Sequence, residues 1–346
     1  MMNDRAKITA IRPEHAIPGG EIEIRVEELG LDPDSGLLCH ANGLACQINA
    51  ASNRRIVATL PALDDSSAIV QIETSKGESN GHVVSVGKLL TNEMHIVANP
   101  AIDPSDDALI LTRSGSRGQK LEHTLFRLET DGFLDELSVE IMNPTGVAFG
   151  PTGALYVTNR AEGTVSRIDR GEEAVMIASG LGIASGIAFD REGTMFVGDR
   201  SGTIYRVREG GSAERFATIE PSVAAFHIAF GPDNRVYVSS PGFASHDFIY
   251  AIDADGYVEN YVRGLGRPQG LAFDRDGNLF AAATFRGRHG VVRVDAERKE
   301  IEHFISGNNV VGLCFTRNGE MVIATSESVY SLNLGIYGTL LGDGMV

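Results

Sequence analysis

From about residue 95 onward, the hydrophobic and polar positions fall into a pattern that returns about every forty residues. One copy reads SGIAFDREGTMFVGDRSGTIYRV over residues 185–207. Others read TGVAFGPTGALYVTN, FHIAFGPDNRVYVSS, QGLAFDRDGNLFAAA and VGLCFTRNGEMVIAT, and ANPAIDPSDDALILTRSG is a more degenerate first copy. Each copy holds four strand-like runs, in the third copy GIAFD, TMFVGD, TIYRV and AERFATI. The first two are joined by a turn such as Arg191-Glu192-Gly193 or Arg275-Asp276-Gly277. Four antiparallel strands per unit of this length predict a propeller blade, and six copies predict a six-bladed β-propeller. Most copies open on a glycine (Gly146, Gly186, Gly270, Gly312), which suits a crowded inner strand; His227 holds that slot in the fourth. The Ala-Phe pair that follows fits small-then-large packing between adjacent blades. The last blade shows three strands, VGLCFT, EMVIAT and SVYSL. Its fourth is either YGTLL near the C-terminus or a segment near KLLTNEMHIV, ahead of the first copy.

Residues from about 5 to 90 read differently. Short alternating runs (EIEIRVEEL, GLLCHA, ACQINA, RIVATLPAL, AIVQIET, HVVSVG) are punctuated by Gly, Pro, Asp and Asn, which predicts a β-sandwich. The order of signals is Pro18-Gly19-Gly20 before the second strand, Leu60-Pro61-Ala62 ending a middle strand, and Gly77-Glu78-Ser79-Asn80 before the last. In this the segment resembles the IPT/TIG family, which implies an immunoglobulin-like fold acting as spacer, dimerisation surface or adhesion module. The expected fold class is therefore all-β, an immunoglobulin-like β-sandwich over 1–90 and a six-bladed β-propeller over 91–346. Within the sandwich, a two-residue type I′ turn at Asn42-Gly43 would set Cys39 opposite Cys46. The spacing allows a disulfide but does not force one, and both are read as free thiols.

The propeller copies PTGVAFGPTGALYVTN, SGIAFDREGTMFVGD and PQGLAFDRDGNLFAAA are similar to those of the SMP-30/gluconolactonase and NHL propellers, a fold that hosts lactonases, lyases and binding proteins. In the SMP-30 family a Glu, an Asn and an Asp on inner strands hold a divalent metal, usually calcium. Here the corresponding blade entries carry Thr145, Ser185, Gln269 and Val311, with no carboxylate, so the triad is not visible. Asp199, Asp247 and Glu327 are the nearest carboxylates that would substitute.

The formal net charge of −16 argues against nucleic acid or an anionic membrane as partner. No apolar run approaches the roughly 20 residues that span a bilayer, and the start MMNDRAKITAIRPEH carries no signal-peptide pattern, so a cytoplasmic location is expected.

In an antiparallel blade, the entry to the first strand and the exit of the second share one end of the propeller. That geometry selects candidate residues without a motif. The entries read Asn99, Thr145, Ser185, His227, Gln269 and Val311. Four of the six exits place an arginine: Arg113, Arg160 (after Asn159), Arg200 (after Asp199) and Arg286, with Arg117 and Arg288 close by. A ring of guanidinium groups would hold a small anion; solvated loop arginines are the competing reading. His123, His246 and His289 lie at the starts of third strands, and His246 lies within the long insertion PGFASHDFIY. DADG and DRDGN look calcium-like but sit where hairpin turns are required.

The sequence thus points to an SMP-30-like propeller binding a small polar or anionic molecule, sugar-acid or lactone-like in character. In a catalytic version that hydrolyses it, His227 or His246 is the base, Asp247 orients the base or binds a metal such as calcium, and Arg200 and Arg286 hold the anion. Thr145, Asn159, Arg160, Asp199, Gln269, Arg113, Arg288 and His289 complete the expected pocket. The alternatives are a non-catalytic scaffold with a protein partner on the TIG-like domain, and a metal-dependent propeller lyase with a His base.

Overall fold

A sheet covered on both faces needs apolar side chains at successive positions rather than alternate ones. The first two strands of the third repeat, Ala184–Phe189 and Met195–Asp199, are buried along their whole length. The third, Thr203–Val207, is half-buried, and the fourth, Ala213–Thr218, is largely exposed. Burial falls from the axis outward, as it must when blades are wedged side by side around a centre. The structure, a computed structural model, describes residues 5–27, 29, 36–115, 119–169, 173–208, 210–242 and 247–339; every regular element among them is a β-strand.

Five blades are continuous in sequence. Blade 1 runs from Ala101–Ile102 to Leu134–Glu136, blade 2 from Pro144–Phe149 to Val175–Ala178, and blade 3 from Ala184–Phe189 to Ala213–Thr218. Blade 4 runs from His227–Phe230 to Val258–Leu265, and blade 5 from Leu271–Phe273 to Ile301–Ser306. Blade 6 takes Val310–Phe315, Glu320–Thr325 and Val329–Asn333, and its outer strand is Lys88–Thr91, with Lys88 opposite Ser331. The ring is therefore closed by the segment ahead of the first repeat, the second of the two candidates. The other candidate goes elsewhere: Gly338 bridges Asp274, and the Thr339 N–H donates to the Phe273 carbonyl at 3.0 Å. Each of the six seams between neighbouring blades holds its own apolar cluster. DADG and DRDGN form hairpin turns as expected: the Asp253 carboxylate accepts from the Asp255 and Tyr257 amides, and that of Asp274 from the Asn278 amide.

Ahead of the propeller, two sheets share one core. The first pairs Lys7–Arg12, Glu21–Glu27, Arg55–Thr59 and Gln47–Ser52. The second pairs His82–Val86, Ser67–Thr74, Leu38–Ala41 and Leu44–Ala45. This second sheet does not stop at the sandwich. The two-residue strand His15–Ala16 pairs in parallel with His82–Val86 on one side and with the outer strand of blade 5 on the other, His15 opposite Ile305. The result is one ten-stranded sheet running from the sandwich into the propeller. Ile17, fully buried, inserts into the seam between blades 5 and 6.

The junction also carries an ion pair. Arg288, expected in the ligand pocket, donates to Glu23 of the sandwich at 2.6 Å. Glu23 keeps two further cations near it, Arg25 at 3.3 Å and Arg55 at 3.8 Å. Arg288→Met should therefore leave Glu23 partnered and lower stability by only about 1 kcal/mol, a loss that shrinks in high salt. Urea unfolding at two salt concentrations checks this. A loss of several kcal/mol would mean that Arg288 holds the junction in some other way.

Candidate functional site

Register fixes which residues share an end of the propeller. Pro144 stands opposite Asn159, Ala184 opposite Asp199, His227 opposite Ser239 and Val310 opposite Thr325. Blade entries and second-strand exits therefore lie together, and the second-to-third turns surround them.

The polar residues expected here are heavily engaged by the backbone. Asn159 Oδ1 accepts from the Ala161 and Glu162 amides, and its Nδ2 donates to Glu162. Asp199 Oδ1 accepts from the Ile183 amide at 2.9 Å and the Ser201 amide at 3.0 Å, while the Ser201 hydroxyl donates to Oδ2. Asp247 Oδ2 accepts from the Gly242 amide at 2.9 Å and the Arg267 amide at 3.1 Å. All three are buried. Each satisfies turn amides that would otherwise be orphaned, and Asp199 and Asp247 also tie their turn to a blade-entry loop. The Thr145 hydroxyl donates to the Ala184 carbonyl at 2.9 Å, and the Ser239 hydroxyl donates to the main-chain carbonyl of Gln269 at 2.7 Å. Among the described residues, no group of three or more His, Cys, Asp or Glu is arranged to hold a metal ion.

Asn99 registers one residue later than expected. Ala101 faces Ile110 and Ile102 faces Leu109, which puts Asn99 in the slot that Gly146 holds in blade 2. Its Nδ2 donates to the Leu271 carbonyl of blade 5 at 2.9 Å, and its Oδ1 accepts from the Leu313 amide of blade 6 at 3.1 Å. One side chain from blade 1 thus pins two other blades. His227 is the other polar side chain in this ring of slots. It is buried, and no hydrogen bond or ion pair engages its ring among the described residues. Burial pushes its pKa down to about 4. His246 lies outside the described residues.

The arginines divide. Arg288 belongs to the junction described above. Arg113 and Arg286 are exposed, and Arg286 lies over the Phe285 ring, 4.9 Å from its centroid. His289 Nδ1 lies 3.1 Å from the Gly307 carbonyl oxygen, within blade 5. Arg160 and Arg200, on blades 2 and 3, are half-buried and lie close together. Burial lowers the Arg160 pKa, and the neighbouring Arg200 charge lowers it further. Neither guanidinium has an ion pair or hydrogen bond among the described residues. Two neighbouring like charges with no counter-charge among the described residues are an arrangement that an anion relieves.

An apolar ledge, unforeseen from sequence, flanks them. Met142, Ile183 and Val223, from three successive blade-entry segments, are exposed. The Arg200 amide donates to the Ile183 carbonyl at 3.2 Å, which places Ile183 beside that arginine. The signal was there as an apolar residue one to four positions ahead of the inner strands of blades 2, 3 and 4, but it reads as core until the loop is placed. Nearby, a cavity of about 400 Å³ between blades 1 and 2 is bordered by Asn143, Asn159, Met142 and Glu162. At the opposite end of the axis a second cavity, about 270 Å³, is ringed by Ala148, Ala188, Ala229, Ala272 and Cys314 with Asn99 beside them.

No family model and no curated protein sequence matches the chain. Solved structures do. A gluconolactonase from Xanthomonas campestris is 18% identical, covers 71% of this chain and 89% of its own, and superposes with a TM-score of 0.57. An auxiliary nutrient binding protein from Bacteroides ovatus is 12% identical over 94% of this chain and 97% of its own, with a TM-score of 0.55. Virginiamycin B lyase from Staphylococcus aureus is 15% identical over 86% and 99%, with a TM-score of 0.52. The chain shares the β-propeller fold of these proteins.

Proposed function

We propose that the protein is a binding propeller for a small anionic molecule, seated at the blade-entry end with its negative group between Arg160 and Arg200. The observation that carries this reading is the half-buried pair Arg160 and Arg200, neither with an ion pair or hydrogen bond among the described residues, on a chain of net charge −16. The ledge of Met142, Ile183 and Val223 would take the ligand's less polar face. A sugar acid or its lactone has both parts, an anionic or polar edge and a face of C–H groups. Nutrient binding and lactone chemistry among structural neighbours of this fold are in keeping with such a ligand. The sandwich, with its Pro18-Gly19-Gly20 turn and its Ser79-Asn80 signal, is read as a TIG-like spacer that also offers a protein-binding surface.

Binding is favoured over hydrolysis by two features. Asp199 and Asp247 already accept backbone hydrogen bonds, and a histidine held near pKa 4 is poorly matched to base catalysis near neutral pH. Calorimetry with gluconate, galacturonate and inorganic phosphate, with glucose as the neutral control, tests the proposal. Arg160→Ala and Arg200→Ala should each weaken anion binding about 10- to 100-fold, the value of a charged hydrogen bond of roughly 1.5–3 kcal/mol. Glucose should not respond to either change. Anion affinity unchanged in both variants would remove the basis for this site.

A further inference from the structure

Cys39 and Cys46 meet at the corner where the chain leaves one sheet of the sandwich for the other. Leu38–Ala41 and Leu44–Ala45 belong to the sheet that continues into blade 5, and Gln47–Ser52 to the opposing sheet. Asn42 and Gly43 have φ of 48° and 79°, the left-handed pair that a type I′ turn requires. His40 then faces Ala45 and Ala41 faces Leu44, and the Cys46 N–H donates to the Cys39 carbonyl at 2.8 Å. Antiparallel partners bonded in this way hold their Cα atoms about 5.5 Å apart, within the span of a disulfide. Both thiols are free, and they hydrogen-bond to each other. Their surroundings differ. Cys39 is 2% exposed in the core, whereas Cys46 is 8% exposed and sits between exposed Ala45 and Gln47.

We propose that Cys39 and Cys46 form a redox-active dithiol which a disulfide donor, such as oxidised glutathione, converts to an intramolecular disulfide. Cys46 is the attacking residue. Its thiolate attacks one glutathione sulfur, the donor's S–S bond breaks, and one glutathione leaves as a thiol with the proton. Cys39 then gives up its proton and attacks the Cys46 sulfur, and the second glutathione leaves as a thiol. Two protein thiols are oxidised and one donor disulfide is reduced to two thiols. The roles follow from the geometry and are reinforced by the thiol hydrogen bond. That bond draws the Cys46 pKa down and pushes Cys39 up, and burial pushes Cys39 up further. The product would staple the inter-sheet corner to the sheet that runs into the propeller. Cys314 is an internal control. It sits half-buried on the inner strand of blade 6, apart from the other two cysteines, with its thiol pushed up by desolvation, and it should stay reduced.

The full-length protein is equilibrated in mixtures of reduced and oxidised glutathione, quenched in acid, denatured and alkylated for mass spectrometry. The expected product is lighter by two hydrogens before alkylation, carries one alkyl group on Cys314, and yields on trypsin digestion a single unalkylated peptide holding both Cys39 and Cys46, two hydrogens lighter than its reduced form. Cys39→Ser should trap glutathione on Cys46, whereas Cys46→Ser should acquire it on Cys39 at least about tenfold more slowly. Three alkylated cysteines at every ratio, or a linkage through Cys314, would overturn the proposal. Equal rates in the two variants would overturn the assignment of Cys46 as the attacking residue. The wild-type measurement decides the site even if a variant folds poorly.

Discussion

Gly270→Ala is expected to destabilise the propeller by about 3–5 kcal/mol, although it adds a single methyl group. A Cβ at this position would collide with the Asn99 amide oxygen and come within 2.5 Å of Gly312 Cα and 2.9 Å of the Val311 carbonyl oxygen. Two of these neighbours are backbone of the next blade's inner strand and cannot rotate away. The third is the side chain that pins blades 5 and 6 to blade 1. If Asn99 is expelled, the Leu271 carbonyl and the Leu313 amide lose their partners at the centre of the ring. Each orphaned buried group costs roughly 1–3 kcal/mol, and the backbone clash adds to that. Asn99→Gly should be destabilising alone, through the same two lost bonds. Combined with Gly270→Ala, the losses should be clearly less than additive, because both changes remove one interaction. Urea unfolding of the two single variants and the double variant measures this. A Gly270→Ala cost under about 0.5 kcal/mol, or strict additivity, would show that the Asn99 bridge does not exist as described.

The same contact explains what could and could not be read in the chain. The blades were legible because inner strands covered on both faces must be apolar throughout, so GIAF and its relatives recur. The glycines were legible because only a missing Cβ lets one inner strand lie against the next. Asn99 was set one residue out because the degenerate first copy lacks its glycine, and only the pairing of Ala101 with Ile110 restores the register. Closure of the ring was not legible, since backbone pairing between Lys88 and Ser331 leaves no side-chain pattern. Nor was the merging of the sandwich sheet with blade 5, which depends on the two residues His15 and Ala16. At the site, the arginine spacing was visible, but Asn159, Asp199 and Asp247 illustrate a limit. Turn amides want the same short oxygen-bearing side chains at the same places as a metal or a proton relay does.

His227 departs most visibly from the repeat, and its consequence is a pH dependence of stability. In the unfolded chain its pKa is near 6.5, and burial lowers it to about 4 in the folded one. A folded pKa below the unfolded value means that protonation favours unfolding. The stability tied to the neutral ring is complete above about pH 6.5 and is lost as the pH falls toward 4. The full difference corresponds to about 3 kcal/mol. His15, His289 and His303 are also lowered by burial and act in the same direction, so the wild-type slope is not a measure of His227 alone. Comparison with His227→Gly, the residue the repeat normally carries, isolates it. The stability of wild type relative to this variant should fall by about 3 kcal/mol between pH 7.5 and pH 4, read from urea midpoints at constant salt. A difference that does not change with pH would mean that the ring is hydrated or hydrogen-bonded in solution. If the slope is found, His227 is a neutral imidazole at every pH above about 5. In the site proposed above, the negative charge of a ligand would then fall to Arg160 and Arg200 and not to this ring.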